Sequence, residues 1–295
     1  MAVAGGKRLH RFPLLFAVFP GIPAMQHVFF SPFRRLLVAL VMVVAALGAS
    51  SAALAMRVSP MIVEMGTTGS DGVARIELQN LNPAKLPYEV RVTRIEYRND
   101  GTITETPADD DFLIFPPQGV LLANARQVIR VQWVGPPLDS SRAYYVSINQ
   151  LPVPLDAPRA PGEAPGAQLQ IVYHMKALVV VSPPNATPNV TTVEAHAALY
   201  QPKAALPDQK PPPPTPGIVV TLRNTGKRHA MMGGLVWVVS GTGRDGKPLQ
   251  VVYTLQQLNA LIGSGYIGPL GAERTYSLPT PTPFAPGPLK VRFRQ

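Results

Sequence analysis

Residues 168–181 read Gln-Leu-Gln-Ile-Val-Tyr-His-Met-Lys-Ala-Leu-Val-Val-Val and stop at Ser182-Pro183-Pro184. No Gly or Pro interrupts them, and β-branched and aromatic residues are plentiful. Leu169, Ile171, Tyr173 and Met175 share one face, while Gln170, His174 and Lys176 share the other. A period of two is a strand signal. Strands typically run to about 5 or 6 residues. This run of 14, at about 3.3 Å each, predicts a strand of roughly 46 Å. Such a strand either lies deep in a large sheet or forms an edge meant for something else. Most proteins blunt an apolar edge; one left open serves to add a partner's strand.

The chain around this run is built for β structure. With 34 Pro and 24 Gly among 295 residues, loops are many, and long helical periodicity is absent. Residues 56–65 read as a first strand. Alternating patterns follow at 73–79, 89–97, 127–134 and 144–151, with a short strand at 112–115. Asn99-Asp100-Gly101 predicts a hairpin turn, since Asp-Gly tolerates the positive φ required. Short strands at turn-punctuated intervals over roughly 125 residues predict an immunoglobulin-like sandwich. Residues 182–188 look like a hinge. A second β pattern then runs through 190–200, 218–223, 235–240, 249–252, 274–278 and 289–294, with a turn at Arg244-Asp245-Gly246 and a short helix over 255–262. The fold class expected is therefore all-β, with two immunoglobulin-like β-sandwich domains over 56–182 and 183–295.

Ahead of them lies a targeting segment, 1–55. Arg34-Arg35 precede an apolar run from Leu36 to Leu47, and Ala53-Leu54-Ala55 completes an A-x-A signal that predicts cleavage before Met56. The run is too short to anchor the chain, so no stable membrane insertion is expected after cleavage. Counting from Met25 gives a signal of ordinary length, which leaves residues 1–24 open to reading as an extension from a start codon assigned too early. Five of the 27 basic residues and none of the 17 acidic ones fall in 1–55, so the net charge of +10 drops to +5 beyond it. Those remaining charges are interspersed, which argues against nucleic-acid binding. An exported chain without cysteine holds together without disulfides.

Little in the sequence points to catalysis. His174, His196 and His229 are the histidines beyond residue 55, and none has a ligand partner at metal-binding spacing. No G-x-S-x-G elbow marks a nucleophile. Asp109-Asp110-Asp111 lacks the spacing of a calcium loop and reads as a solvated acidic loop. The expectation is a protein that is not an enzyme and needs no cofactor or metal. A hydrolase on a β-sandwich scaffold is the weakest alternative; an exported two-domain adhesin or structural surface protein is the stronger one.

Leu86-Pro87-Tyr88, the segment from Tyr144 to Pro152, Leu169-Gln170-Ile171, the strand running to Pro183, and Asn224-Thr225-Gly226 together resemble the periplasmic chaperones of pilus assembly by the chaperone–usher route. The similarity covers nearly all of 57–294. It implies two immunoglobulin-like domains set at an angle, with 168–181 as the last strand of the first. It implies a periplasmic, non-enzymatic role: lending that edge strand to a pilus (fimbrial) subunit and delivering the subunit to an outer-membrane usher. Leu169, Ile171, Tyr173 and Met175 would fill the subunit's groove. Two basic cleft residues of the family hold the subunit's terminal carboxylate. Here Met61 and Leu178 occupy those positions, leaving Lys176 and Arg57 as anchor candidates. The absence of cysteine departs from the long-loop branch of the family, while the Pro-rich stretch 152–167 is longer than in the short-loop branch.

Overall fold

A computed structural model of the chain describes residues 56–152, 172–204, 206 and 208–295. The expected export signal over 1–55, residues 153–167 of the Pro-rich stretch, and Leu169 and Ile171 lie outside the described residues. Pro60 lacks the N–H that a ladder needs, and it divides the expected first strand in two. β1 (Met56–Ser59) runs antiparallel to β3 (Val73–Asn80) in one sheet, whereas β2 (Ile62–Met65) joins the other sheet.

The first sheet has the order β1-β3-β8-β6, with β8 at Arg126–Trp133 and β6 at Phe112–Phe115. The second has the order β2-β10-β9-β4-β5, with β4 at Leu86–Tyr97, β5 at Ile103–Pro107, β9 at Arg142–Gln150 and β10 at His174–Val181. Beside the start of β4 lies β7 (Gln118–Leu121). Ile76, Leu78, Ile129 and Val131 of the first sheet meet Tyr144, Val146, Ile148, Val179 and Val181 of the second in a core that is fully buried. Phe112 packs edge-on to both Trp133 and Tyr144 at 5.2 and 4.9 Å, a favoured aromatic geometry. The acidic run is not simply solvated: the Tyr144 hydroxyl donates to Asp111 Oδ2 at 2.9 Å, and the Val92 N–H donates to Asp109 Oδ1 at 2.9 Å.

The remaining strands form a second sandwich around its own core. β11 (Val190–Tyr200), β12 (Thr215–Asn224) and β17 (Ala272–Pro279) make one sheet. β14 (Val236–Thr242), β15 (Pro248–Tyr253) and β18 (Lys290–Arg294) make the other, in the order β15-β14-β18. β13 (Ala230–Met231) and β16 (Tyr266–Ile267) form a short pair. Trp237 is fully buried and donates its indole N–H to the Met232 carbonyl at 2.9 Å. The expected helix is α1 (Leu255–Ile262), started by a reciprocal cap between Thr254 and Gln257.

A fully buried asparagine closes the turn after β3 in the first sandwich and the turn after β12 in the second. Asn80 donates its side-chain N–H groups to the carbonyls of Ala84, Leu121 and Leu122. Asn224 donates to the carbonyls of Arg228 and Gly268 and accepts from the N–H groups of Asn189 and Gly226. It thereby ties the turn at 225–228 to the segment that leads into β11. Stranding buried backbone groups costs roughly 1–3 kcal/mol each. Asn224→Ala is therefore expected to lower the stability of the chain by about 3 kcal/mol, read as a drop in the urea midpoint with an unchanged slope.

Candidate partner-binding edge

β10 is paired along its whole length on one flank and along half of it on the other. All eight of its residues face β9 antiparallel, from His174 opposite Asn149 to Val181 opposite Arg142. On the opposite flank β2 runs parallel, and its register covers only Leu178 to Val181, opposite Ile62 to Met65. The Leu178 N–H donates to the Met61 carbonyl at 2.9 Å and the Ser182 N–H to the Met65 carbonyl at 2.9 Å. Peptide groups alternate sides along a strand, so the even-numbered residues of β10 turn theirs toward β2. Those of His174 and Lys176 point to the same side. There, among the described residues, no strand meets them. Pro60 is what ends the cover, because the chain leaves for the other sheet just ahead of Met61.

Of the expected strand over 168–181, the described part forms β10 from His174 onward, and residues 168–171 lie outside the described residues. Its partner β9 ends at Gln150, two residues ahead of Pro152, and the described ladder begins at His174 opposite Asn149. The last contact is local: the Gln150 N–H donates to the Tyr173 carbonyl at 2.9 Å.

The side chains of β10 divide by parity. Ala177, Val179 and Val181 are buried in the first core, and Tyr173 and Met175 pack against it half-buried. Leu178 and Val180 point the other way. They are buried with Ile95, Ala143 and Tyr266 in a cluster that joins the two sandwiches. Burial on both faces explains why the alternation gives way to an unbroken apolar run at 177–181. The Tyr97 ring stacks on Tyr266 at 4.7 Å in the same seam. The β4–β5 hairpin also reaches the second sandwich, where the Thr275 N–H donates to the Asn99 carbonyl at 3.2 Å. Gly101 in that hairpin has φ +87°, a backbone angle that favours glycine, and Arg274 Nη2 lies 2.7 Å from where a Cβ would stand.

Lys176 is exposed on the outward face of its sheet. Its Nζ donates to Glu105 Oε1 at 2.6 Å and lies 5.3 Å from the centre of the Tyr145 ring. The Lys176 hydrogen bond holds the Glu105 carboxyl below the usual carboxylate range. Arg57 sits on β1 opposite Gln79, on the outward face of the other sheet. The structure therefore does not bring the two anchor candidates together. Met61 and Leu178 are brought together, but neither carries a charge.

A polar network beside this edge went unnoticed in the sequence. Glu64 of β2, opposite Val180, takes an ion pair from Arg228 of the second sandwich. The His229 Nε2 lies 3.5 Å from the same carboxylate oxygen. His229 itself is buried, its ring stacked 5.6 Å from Tyr266, its N–H donated to Ser141 Oγ at 3.1 Å. Ser141 Oγ in turn is 2.9 Å from Ser182 Oγ, at the end of β10. The trace of it in the sequence is the Lys227-Arg228-His229 run directly after Asn224-Thr225-Gly226.

No family model matches the chain, and no curated protein does either. Solved structures do match. The Class 5 fimbriae chaperone CfaA aligns over 82% of this chain and 99% of its own, at 12% identity and a TM-score of 0.45. The E. coli chaperone DraB aligns over 82% and 96%, at 13% identity and a TM-score of 0.45. A chain from the complex of the Salmonella enterica SafA pilin with the SafB chaperone aligns over 81% and 95%, at 17% identity and a TM-score of 0.43. The chain is similar to fimbrial chaperones. Among the described residues, no helix is long and apolar enough to cross a membrane.

Acid should loosen the seam between the sandwiches. Burial opposes charge on Glu64, but the Arg228 hydrogen bond and the charges of His229 and Arg228 outweigh it and hold the carboxyl below its ordinary 4.5. Burial pushes His229 below its ordinary 6.5, against the pull of Glu64. A depressed carboxyl stabilises the fold above about 4.5 and loses that contribution as pH falls through its folded value. A depressed histidine acts in the same direction, since below about 6.5 the unfolded chain takes up the proton first. The urea midpoint is expected to fall in two stages, below about 6.5 and again below about 4.5. In Glu64→Gln the second stage should be smaller; an identical pH profile would remove Glu64 from this role.

Proposed function

We propose that the chain is a periplasmic assembly chaperone that caps fimbrial subunits by strand donation and passes them to an outer-membrane usher. The observation that carries this reading is the half-covered flank of β10, where, among the described residues, no strand meets the peptide groups of His174 and Lys176. A β-strand edge of this kind offers main-chain hydrogen bonds to an extended partner segment, and alternate side chains then supply specificity. The resemblance of the sequence to pilus chaperones points to a partner that is an incomplete sandwich with a groove to fill.

In this role Leu169 and Ile171 enter the subunit's groove, continuing the face on which Tyr173 and Met175 already rest against the chain's own core. Burial of each such side chain is worth about 1.5–3 kcal/mol before the cost of association. Lys176 is the stronger of the two anchor candidates because it stands on the donating strand. Its present partner Glu105 is a surface carboxylate, and an exposed ion pair of this type is worth about 0–1 kcal/mol, so exchange for a subunit carboxylate costs little. Arg57, on the far face, would serve only as a surface charge.

Co-expression with a fimbrial subunit tests the reading: the chain should purify in a one-to-one complex. Ile171→Glu should weaken capture at least tenfold, about 1.4 kcal/mol, with an unchanged melting temperature. A stable chain that captures no subunit, or an Ile171→Glu variant that captures as well as the wild type, would contradict it. Lys176→Ala should weaken capture about tenfold; unchanged capture would leave Lys176 with Glu105 as its whole role.

A further inference from the structure

The second sandwich has a seam of its own, remote in sequence from β10. The edge strands β11 and β18 come from its two sheets: β11 pairs only with β12, and β18 only with β14, among the described residues. They touch at one place, where the Leu289 N–H donates to the Ala195 carbonyl at 2.8 Å and His196 bridges to Pro288. From there they separate. The register of β11 against β12 slips between Thr192 and Glu194, and Val193 is left out of the ladder with 46% of its surface exposed. Between the strands lies an open groove of about 910 Å³, lined by residues 192–196 and 288–292.

We propose that this groove accepts an extended segment of a partner protein in which apolar and acidic residues alternate. The Leu289 N–H points toward β11, so by alternation the peptide groups of Val291 and Phe293 point the same way. No backbone bond reaches them among the described residues. A bulge on one wall and an unpaired edge on the other are the features that admit an added strand. Val193 supplies an exposed apolar contact for one face of the incoming segment, while Leu289 and Val291 line the groove from the core beneath it. Lys290 and Arg292 are exposed on the other face and make no ion pair among the described residues. Glu194 is the carboxylate of the groove, and its Oε1 already accepts from the Thr221 hydroxyl at 3.3 Å. Opposite charges directly across a pair of strands stabilise it, and like charges destabilise it, so acids are the complement of Lys290 and Arg292. This site does not depend on the function proposed for β10.

The test uses the full chain and a fluorescein-labelled seven-residue peptide of alternating Val and Glu. Its counterpart carries Lys in place of Glu. The acidic peptide should bind, with slowed amide exchange at Val291 and Phe293. The double variant Lys290→Glu and Arg292→Glu should lose the acidic peptide at least tenfold and gain the basic one, which also reports that the variant is folded. Absence of binding, binding indifferent to the charge swap, or slowed exchange at His174 and Lys176 instead would overturn the proposal. Self-association that protects Val291 and Phe293 without peptide would overturn it too, by assigning the groove to a second copy of the chain.

Discussion

Four residues of parallel pairing between β2 and β10 set where the last strand of the first sandwich is interior and where it is not. Where β2 is present, at Leu178 to Val181, β10 is an interior strand and its peptide groups are consumed. Ahead of Leu178 the same strand is an edge among the described residues. The boundary follows from a backbone property of Pro60, whose missing N–H ends one ladder just as the chain crosses to the other sheet. Interior pairing at one end of β10 holds the open end in register, so an incoming segment would meet a fixed edge rather than a loose one. Fixing the edge beforehand lowers the entropy that association must otherwise remove.

The second sandwich contributes to the same end. By covering Leu178 and Val180 it turns the outward face of β10 into a buried seam, and the Glu64, Arg228 and His229 network closes that seam beside β2. Asn224 holds the turn that presents Arg228 and His229. A buried asparagine, a charged turn and a strand that changes sheets thus act on one short stretch of β10. Lys176 lies just outside the covered stretch, where its ammonium remains in water and exchange of partners is cheap.

Much of the fold was legible because one-sided burial writes its period into a strand. Residues 73–79 and 127–134 alternate cleanly, and β3 and β8 follow them within a residue. β11 and α1 match the pattern at both ends. What escaped notice lacked such a period. Every residue of β5 is exposed, so it has no face to reveal, and β13 and β16 are two residues each. Ile95 falls on the same side of the 89–97 alternation as Glu89, Arg91 and Thr93, and the reason for an apolar residue there appears only when Tyr266 is seen to pack with it. At the candidate site the parity of Tyr173, Met175, His174 and Lys176 could be read directly. The extent of the open edge could not, because it depends on where β2 stops, and β2 lies more than a hundred residues away.

The central claim is that β10 is an edge ahead of Leu178 and interior after it. Amide hydrogen exchange on the free chain measures this directly, residue by residue. The account predicts fast exchange at His174 and Lys176 and slow exchange at Leu178 and Val180, with the two fast amides becoming slow when a fimbrial subunit is bound. Uniformly slow exchange from His174 through Val180 in the free chain would show that the flank is already covered, and would contradict it.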